Sequence, residues 1–343
     1  MPDDTARVLP AQPSLDVTVG ELGEHALIQR ITARLPPAAP SVVVGIGDDA
    51  AVIEPERGTL SVVTTDALVE GVHFERAFAP PAAIGFKALA VSLSDLAAMG
   101  ATPRYALLSL ALPPKFLLAD LDALLDGLLE LAARHTTALV GGNITRSRGP
   151  LLIEITAFGS VKRRRVLTRA GARVGDVIYV SGTIGGATAG LGSLQAGDGV
   201  AACRDRLLYP EPRVRLGMLL GRTRAAGACI DLSDGLADGL RQLTTASGVG
   251  AIVDAERVPV QAAARTWFER MGLDPILAAL TGGEDYELLF TISPRTRGRF
   301  AGVRRLVKNP PLTKIGIITK EQELRLRRNG QVEPCPPGYE HFK

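Results

Sequence analysis

The stretch between residues 59 and 112 decides the fold class of this chain. Residues 59–66 read TLSVVTTD, residues 81–100 read PAAIGFKALAVSLSDLAAMG, and residues 105–112 read YALLSLAL. The first and third segments are rich in apolar and β-branched residues and predict strands, the first of which ends at Asp66. The middle segment predicts a helix over residues 81–99, with Gly100 at its C-terminal cap. This order of strand, helix and strand is typical of α/β proteins.

The same alternation continues in both directions along the chain. Further helices are predicted over residues 24–35, 116–131 and 236–248, and further strands over residues 41–46, 138–140, 151–161, 177–181, 228–231, 251–253 and 286–292. We therefore expect an α/β or α+β fold with mixed sheets. Because 343 residues exceed one ordinary core, we expect two domains, over residues 21–162 and 163–343, after a mobile tail over residues 1–20.

The composition excludes several classes of function. Hydrophobic residues make up 46% and charged residues 22% of the chain, which is typical of a globular protein. The net charge of +3 gives no electrostatic indication of a nucleic-acid partner. The basic run over residues 162–165 (KRRR) is interpreted as a solvated connection. The sequence therefore favours an enzyme or a small-molecule binder.

The cysteines and the apolar runs indicate a cytoplasmic protein. Cys203, Cys229 and Cys335 lie far apart and form no CxxC pair, which argues against disulfides and against a zinc site. The first residues lack the basic and apolar pattern of a signal peptide. An uninterrupted apolar run of about 18 residues is also missing, so no membrane segment is expected.

Five aspartates carry the chemical argument. They stand among apolar and small residues with few basic neighbours, at Asp49, Asp66, Asp95, Asp231 and Asp234. An ionised carboxylate is costly to bury unless it is paired or binds a metal, and hard oxygen ligands without His or Cys suit Mg²⁺ together with substrate phosphates. Each aspartate alone is as well explained as a turn former, and Asp234 as a cap of the following helix. All five together favour a magnesium site.

The glycine-rich segment over residues 182–190 has two interpretations. It follows a predicted strand and precedes a predicted helix, so its backbone N–H groups could bind phosphate. It lacks the GK[ST] of a P-loop, and tight packing between strand and helix explains the glycines equally well. The sequence leaves both interpretations open.

Seven motifs in register resemble the thiamine-monophosphate kinase family, which is related to aminoimidazole ribonucleotide synthetase and selenophosphate synthetase. They cover roughly residues 23–342, and they are GIGDDA (45–50), TTD (64–66) with His73, KALAVSLSDLAAMGA (87–101), LTR (167–169), IDLSDGL (230–236), GGEDYEL (282–288) and GYEHF (338–342). The resemblance implies ATP-dependent phosphorylation of thiamine monophosphate to thiamine diphosphate, by direct magnesium-assisted transfer of the γ-phosphate. It also implies a homodimer whose N-terminal domains pair into a barrel-like sheet.

The resemblance also implies a role for individual residues. Positions matching the family's magnesium ligands are Asp49, Thr64, Thr65, Asp66, Asp95, Asn143, Asp231 and Asp234, of which Asp66, Asp95 and Asp234 are the catalytic candidates. Positions matching ATP contacts are Gly142, Asn143, Arg169 and Ser233. Positions matching contacts to thiamine phosphate are His73, Glu284 and Tyr339.

One position departs from the family pattern. The family has an aspartate after two glycines, where this chain has Asn143. Asparagine keeps a carbonyl oxygen but loses the charge, so we expect a raised magnesium requirement. Two other functions remain open from the sequence, namely another ATP-using synthetase of the same superfamily and a nucleotide-binding regulatory protein without turnover.

Overall fold

The computed structural model describes residues 17–338 and contains one mixed sheet in each half of that range. The N-terminal half contains four helices, α1 Val19–Leu22, α2 Glu24–Arg34, α3 Pro81–Ala98 and α4 Leu118–Arg134. Its strands are β1 Val42–Val44, β2 Val52–Ile53, β3 Leu60–Val69, β4 Thr102–Leu112, β5 Ala138–Arg146 and β6 Leu152–Val161. The main sheet has the order β3-β6-β4-β5, with β4 and β5 parallel and the other pairs antiparallel.

The C-terminal half is built around a sheet of seven strands in the order β13-β12-β9-β11-β7-β10-β8. These strands are β7 Val177–Ser181, β8 Ala226–Asp231, β9 Gly250–Asp254, β10 Leu288–Ile292, β11 Leu312–Thr319, β12 Leu324–Arg328 and β13 Gln331–Pro334. Its helices are α5 Gly186–Gln195, α6 Ala201–Leu208, α7 Val214–Thr223, α8 Leu236–Ser247, α9 Ala262–Arg270, α10 Pro275–Thr281 and α11 Arg297–Leu306. Because β9 and β12 are parallel within this otherwise antiparallel sheet, the expected α/β fold with mixed sheets is confirmed in both halves.

Helix α3 lies at the centre of the molecule. It is apolar on all sides and long enough to cross a membrane, but 83% of it is buried inside the fold, which is typical of a core helix. A Cβ added to Gly85 would stand 1.8 Å from the carbonyl oxygen of Leu124 on α4. A Cβ added to Gly217 on α7 would stand 1.9 Å from the carbonyl oxygen of Ala97. Helix α3 is therefore packed closely against a helix from each half.

Two strands continue past the residues at which we expected them to end. Strand β3 runs beyond Asp66 to Val69, and β5 runs through the two glycines and Asn143 to Arg146. Both extensions are paired with a neighbouring strand, which satisfies their backbone groups. A Cβ at Gly142 would stand 1.9 Å from the carbonyl oxygen of Leu108, so this glycine is required by close strand pairing and not by a turn.

The N-terminal segment departs from the predicted tail. Thr18 caps helix α1 together with Glu21 in a reciprocal capping box, and Val19 is buried. The backbone N–H of Val19 donates to the carbonyl of Phe116 at 2.9 Å. The prediction of a tail was therefore wrong for residues 17–20, and residues 1–16 lie outside the described part of the chain.

Candidate active site

Helix α3 presents a serine hydroxyl to a carboxylate in each half of the molecule. Ser92 Oγ donates to Asp66 Oδ2 of β3 at 2.7 Å, and Ser94 Oγ donates to Asp231 Oδ2 at the end of β8 at 2.6 Å. Two positions along a helix differ by about 200° in direction, so the two serines point towards different halves. The helix thereby brings Asp66 and Asp231, far apart in the sequence, to the same region.

Asp95 joins these two carboxylates from the same helix. It lies one turn after Ser92 and accepts a hydrogen bond from Thr64 Oγ1 of β3. Thr64 and Asp66 lie on the same face of β3 because side chains alternate along a strand. We call Asp66, Asp95 and Asp231 the carboxylate set. The structure therefore brings together three of the five aspartates, and Thr64, as predicted.

The carboxylate set lacks a cation of its own. Burial raises the pKa of Asp66 to about 6, and the charge of Asp95 adds to the rise while the bond from Ser92 opposes it. Burial raises the pKa of Asp231 to about 7, assisted by Asp95 and Asp66 and opposed by the bond from Ser94. No basic side chain within residues 17–338 appears among the groups that shift these two pKa values. An external cation would remove this electrostatic cost.

The donor chemistry of the carboxylate set fits magnesium. Oxygen donors without His or Cys suit Mg²⁺, which binds through a few carboxylates, waters and phosphates and seldom through a cage of protein ligands. No group of three or more His, Cys, Asp or Glu side chains in the described range is arranged to hold a metal ion, so waters and substrate phosphates would have to complete a site on the carboxylate set. Asp66, Asp95 and Asp231 would each supply carboxylate oxygens.

Asp49 lies apart from the carboxylate set. Its side chain is exposed, and its backbone N–H donates to Asp48 Oδ1 at 2.8 Å. Within residues 17–338, no hydrogen bond, ion pair or pKa effect links Asp49 to the set. The role of Asp49 as a metal ligand therefore stays a prediction.

The predicted metal residues Thr65 and Asn143 lie on the opposite face of the N-terminal sheet. Thr65 Oγ1 donates to Glu154 Oε1 at 3.1 Å, on the face away from α3. Asn143 pairs with Ser109, which pairs in turn with Glu154, so all three side chains share that outer face. Alternation along the strand therefore separates the side chains of Thr65 and Asn143 from those of Thr64 and Asp66, and the metal roles of Thr65 and Asn143 stay predictions.

The segment after β8 carries Asp234 and Ser233. Ser233 Oγ donates to Asp234 Oδ2 at 2.9 Å, and the Ser233 carbonyl accepts the backbone N–H of Glu284 at 2.6 Å. Helix α8 begins at Leu236, its N-cap is Gly235, and no side chain caps it. The alternative role of Asp234 as a helix cap is therefore wrong, and its carboxylate is left available at the edge of the site.

Tyr286 lies near the carboxylate set and also near Asp234 and Glu284. No role was predicted for it from the sequence. Burial raises the pKa of its phenol well above the usual value, and Glu284, Asp231, Asp66 and Asp234 add to this rise. The phenol therefore stays protonated and lies within electrostatic reach of four carboxylates. Glu284 and Tyr286 both have positive φ angles, 66° and 50°, which are uncommon for residues other than glycine. Such backbone strain is found mainly at functional sites.

A cavity of about 140 Å³ lies beside Glu284. Its wall includes His73 and Glu284, together with the apolar residues Leu68, Phe74, Phe78, Leu191, Leu207 and Leu208. The buried Lys87 Nζ lies 2.7 Å from Glu284 Oε1 and donates to the His73 carbonyl at 3.2 Å. The structure thus places His73 and Glu284 on the wall of one cavity, and their contact with substrate stays a prediction. It adds Lys87, which sequence analysis missed although the residue opens the motif KALAVSLSDLAAMGA.

Two other predicted contacts, Tyr339 and Arg169, are not tested by the structure. Tyr339 lies outside the described residues. Arg169 is exposed, its carbonyl accepts a bond from Ser247 Oγ at 3.2 Å, and its guanidinium has no ionic partner within residues 17–338. The structure therefore leaves the predicted phosphate role of Arg169 as a prediction.

The glycine-rich segment after β7 is explained by packing. Asp285 Oδ2 accepts the N–H of Gly185 at 2.7 Å, and Oδ1 accepts the N–H of Ala187 at 3.3 Å. The N–H groups that start α5 are therefore bound by the protein's own carboxylate. A Cβ at Gly182 would stand 2.0 Å from Glu287 Oε1, so this glycine is required by close packing. Of the two interpretations, the structure favours tight packing over phosphate binding.

Glu287 forms a second acidic centre under this loop. Its side chain is fully buried, and it accepts bonds from Arg206 at 2.9 Å, from both Nε and Nη2 of Arg213, and from Ser181 Oγ. We call these four residues the Glu287 network. Glu287 belongs to the motif GGEDYEL, but its role was not predictable from the sequence because its arginine partners lie 74 and 81 positions away.

Comparisons with known proteins match both halves of the chain. Residues 47–161 match the model of the AIR synthase related protein N-terminal domain, and residues 173–329 match that of the C-terminal domain. The thiamine-monophosphate kinase of Synechococcus elongatus is 39% identical over 340 residues, which cover 95% of this chain and 98% of the relative. The match therefore extends over nearly the full length of both proteins.

Solved structures agree with the sequence comparison. The thiamine-monophosphate kinase of Stenotrophomonas maltophilia has a TM-score of 0.77 at 39% identity and covers 89% of this chain and 95% of its own. The protein AaThiL, solved in complex with AMPPCP and TMP, has a TM-score of 0.74 at 32% identity and covers 96% of this chain and 100% of its own. The chain therefore belongs to the AIR synthase related family and, within it, to the thiamine-monophosphate kinases.

Proposed function

We propose that this protein transfers the γ-phosphate of ATP to thiamine monophosphate, producing thiamine diphosphate for thiamine diphosphate biosynthesis in the cytoplasm. The observation that carries the proposal is the likeness, over 96% of this chain, to AaThiL bound to an ATP analogue and TMP. The carboxylate set and the cavity beside Glu284 supply chemistry that suits the two anionic substrates.

The reaction requires charge neutralisation more than proton removal. Both reactants are phosphates, and the attacking phosphate oxygen is already deprotonated near neutral pH, so a strong general base is unnecessary. Magnesium, when bound, neutralises the phosphates and the transferring group. Asp66, Asp95 and Asp231 would hold that cation, and Asp234 would provide a further carboxylate beside them. Transfer is direct, without a phosphoenzyme.

The cavity beside Glu284 is the proposed place for part of thiamine monophosphate, since its volume of about 140 Å³ is below the roughly 300–1,000 Å³ usual for a whole small-molecule site. Its apolar wall accepts the body of the ligand, and His73 and Glu284 contribute polar contacts. Since Glu284 is already paired with Lys87, its charge is partly neutralised by the protein, and Lys87 offers an ammonium to a phosphate. Tyr339 completes this subsite in the proposal.

The outer face of the N-terminal sheet is the proposed dimer interface. Val63 is 56% exposed on this face, and Phe158 and Leu107 lie on the same face by strand register. A second copy of the chain would cover these apolar side chains and form the barrel-like sheet. Asn143 borders the same face and Gly142 precedes it in the strand, so ATP would bind next to the interface, with Arg169 and Ser233 as further contacts.

The proposal is tested by incubating the purified protein with ATP, Mg²⁺ and thiamine monophosphate and measuring thiamine diphosphate by chromatography. We expect Asp66→Asn to lower turnover by about 1,000-fold, because a metal ligand at the transferring phosphate is lost. Asp126→Asn, on the exposed face of α4, is the matched control and should retain turnover. ATP binding without any product would instead favour a regulatory protein, and near-normal turnover of Asp66→Asn would remove its metal role.

A further inference from the structure

A second cavity, of about 590 Å³, lies between the two halves of the molecule and is lined by no member of the carboxylate set. We call it the basic groove. It is formed where β3 and β4 begin and where β6 and α4 end, and α7 and the end of α11 close its other side. Its volume falls within the range of roughly 300–1,000 Å³ that is usual for small-molecule sites.

The basic groove has a strong excess of positive charge. Its wall carries six basic side chains and one acidic side chain, the basic ones being Arg104, Arg134, Lys162, Arg165, Arg215 and Arg222. The single acid, Glu56, is already bound by Arg104 and by Ser160 Oγ at 2.7 Å. The remaining positive charge has no carboxylate inside the groove to balance it.

Two of these arginines are free to bind a ligand. Arg165 and Arg222 form no side-chain hydrogen bond or ion pair within residues 17–338. In contrast, Arg134 pairs with Glu211, and Arg215 donates to the carbonyl of Leu306 at 3.2 Å. Lys162 and Arg165 belong to the basic run KRRR, which the sequence predicted to be only a solvated connection. The structure places its two ends on the wall of a cavity.

The groove also offers an apolar surface and an unused nitrogen. Val161, Met218 and Leu219 lie on its wall. His135 lines it as well, and its Nε2 is buried without a hydrogen-bond partner among the described residues. A ligand that suits this wall has a ring or apolar body next to an anionic group, since guanidinium groups bind phosphates in bidentate geometry.

We propose that the basic groove binds an organic diphosphate, with the two phosphates on Arg165 and Arg222 and the organic body on the apolar wall. The proposal concerns a site outside the carboxylate set and does not depend on the reaction proposed above. ADP and thiamine diphosphate, the two products of that reaction, share this chemistry and are therefore suitable probes, with inorganic pyrophosphate as the probe that lacks an organic body.

A ligand bound in the basic groove would affect the carboxylate set, because closely packed backbone connects the two sites. A Cβ at Gly221 on α7 would stand 2.4 Å from the carbonyl oxygen of Arg165, and Gly217 packs on Ala97, two residues after Asp95. Helix α7 therefore has no space to move without shifting α3 or the segment that carries Arg165. Occupation of the groove is thus expected to change turnover as well as to bind ligand.

The test is calorimetric titration of the full chain with ADP, thiamine diphosphate and pyrophosphate, in buffer containing EDTA. Removing metal suppresses binding that depends on the carboxylate set, whereas the groove binds through arginines. We expect one binding event per chain for at least one organic probe. The double variant Arg165→Glu with Arg222→Glu should weaken it by about tenfold or more, because two charge-assisted contacts become repulsive.

Two further variants separate a specific loss of binding in the groove from effects of net charge or misfolding. Arg304→Glu, on the exposed surface of α11 and outside the groove, changes the net charge as much as Arg222→Glu alone and should leave the affinity unchanged. Arg222→Glu alone affects an exposed side chain and should weaken binding in a folded protein, as checked by circular dichroism. Absence of binding by all three probes, or equal affinity in the double variant, would overturn the proposal. Equal affinity for pyrophosphate and both organic probes would overturn the role of the apolar wall.

Discussion

The carboxylate set and the Glu287 network are two ways of burying acidic side chains in one molecule. Glu287 is fully buried and is bound by two arginines and a serine of the same chain. Asp231 is also buried and Asp66 is half-buried, but their hydrogen-bond donors are the neutral hydroxyls of Ser94 and Ser92. The Glu287 network has its balancing positive charge within the fold, whereas the carboxylate set does not.

This difference indicates which acidic centre is structural and which is functional. A buried charge paired with cations needs nothing from outside the protein, so the Glu287 network stabilises the fold beneath the loop that starts α5. A buried carboxylate without a cation has its pKa raised, as Asp66 and Asp231 do, and this is characteristic of functional sites. The following predictions test that division, from the largest expected effect to the smallest.

Removing the carboxylate of the Glu287 network is expected to have the largest effect on stability. Glu287→Leu removes the carboxylate that both arginines bind, which leaves Arg206 with backbone carbonyls alone and Arg213 without a bonding partner in the described part of the chain; this should lower the free energy of unfolding by about 4 kcal/mol. Urea denaturation followed by circular dichroism measures this loss. Glu321→Leu, at an exposed position, is the control and should change stability by less than about 0.5 kcal/mol. A loss as small as the control's would show that the network is not structural.

Removing a carboxylate of the carboxylate set should raise the free energy of unfolding in metal-free buffer, whereas removing Glu287 lowers it. The folded-state pKa of Asp231, about 7, lies above the unfolded value, so the folded protein binds more protons and its stability falls as the pH rises from about 4 to about 7. The side chain introduced by Asp231→Asn cannot ionise, so the variant does not lose stability as the pH rises. It should be more stable than wild type by about 2 kcal/mol at pH 8. Thermal unfolding at pH 5 and pH 8 in EDTA measures the difference.

The same experiment contains its own control. At pH 5 the wild-type carboxyl of Asp231 is largely protonated in the folded state, so the difference between the two proteins should be much smaller than at pH 8. Addition of Mg²⁺ at pH 8 should stabilise the wild type more than Asp231→Asn. A variant that is less stable than wild type at pH 8 without metal would contradict the division between the two centres.

Asp285 is a third buried carboxylate, and it differs from the other two centres because its hydrogen-bond donors are backbone N–H groups. Asp285→Ala leaves the N–H groups of Gly185 and Ala187 unbound, which should cost about 1.5 kcal/mol and loosen the start of α5. Hydrogen exchange of the α5 amides and urea denaturation measure both effects. Asp205→Ala, at an exposed position on α6, is the control. Unchanged exchange in α5 would show that Asp285 does not hold this loop.

The smallest expected effect concerns Asn143 on the outer face of the N-terminal sheet. Restoring the family's aspartate by Asn143→Asp should lower the magnesium concentration for half-maximal turnover about threefold, equivalent to roughly 0.7 kcal/mol. Thr145→Asp places a carboxylate two residues further along the same face and is the matched control. If both variants have the same magnesium dependence as wild type, Asn143 does not contribute to a metal site.

Much of the fold was predictable from local patterns. Helix α3 and the strands β3, β4, β6 and β7 were found within three or four residues of their observed ends, because apolar runs and flanking Pro or Gly mark such elements. The extension of β5 through Gly142 was missed, since glycine is usually a turn signal and only the pairing with β4 shows that it belongs to the strand.

The site was predictable in its residue types and less so in its geometry. Asp66, Asp95 and Asp231 were identified because carboxylates among apolar residues need an explanation. The separation of Thr64 from Thr65 was missed, because adjacent residues of a motif look equivalent until the strand that holds them is known to continue. Lys87 was missed for a different reason. A lysine in an apolar helix gives no indication of its partner, and Glu284 lies nearly 200 positions away.

The opposite directions of Ser92 and Ser94 on α3 also bear on how this protein tolerates change during evolution. One residue inserted between them would rotate the following part of the helix by about 100°, and Ser94 and Asp95 would lose Asp231 and Thr64 together. Surface loops elsewhere accept insertions at little cost. We therefore expect the length of α3 to be invariant among functional homologues, while the loops that connect the outer helices vary in length.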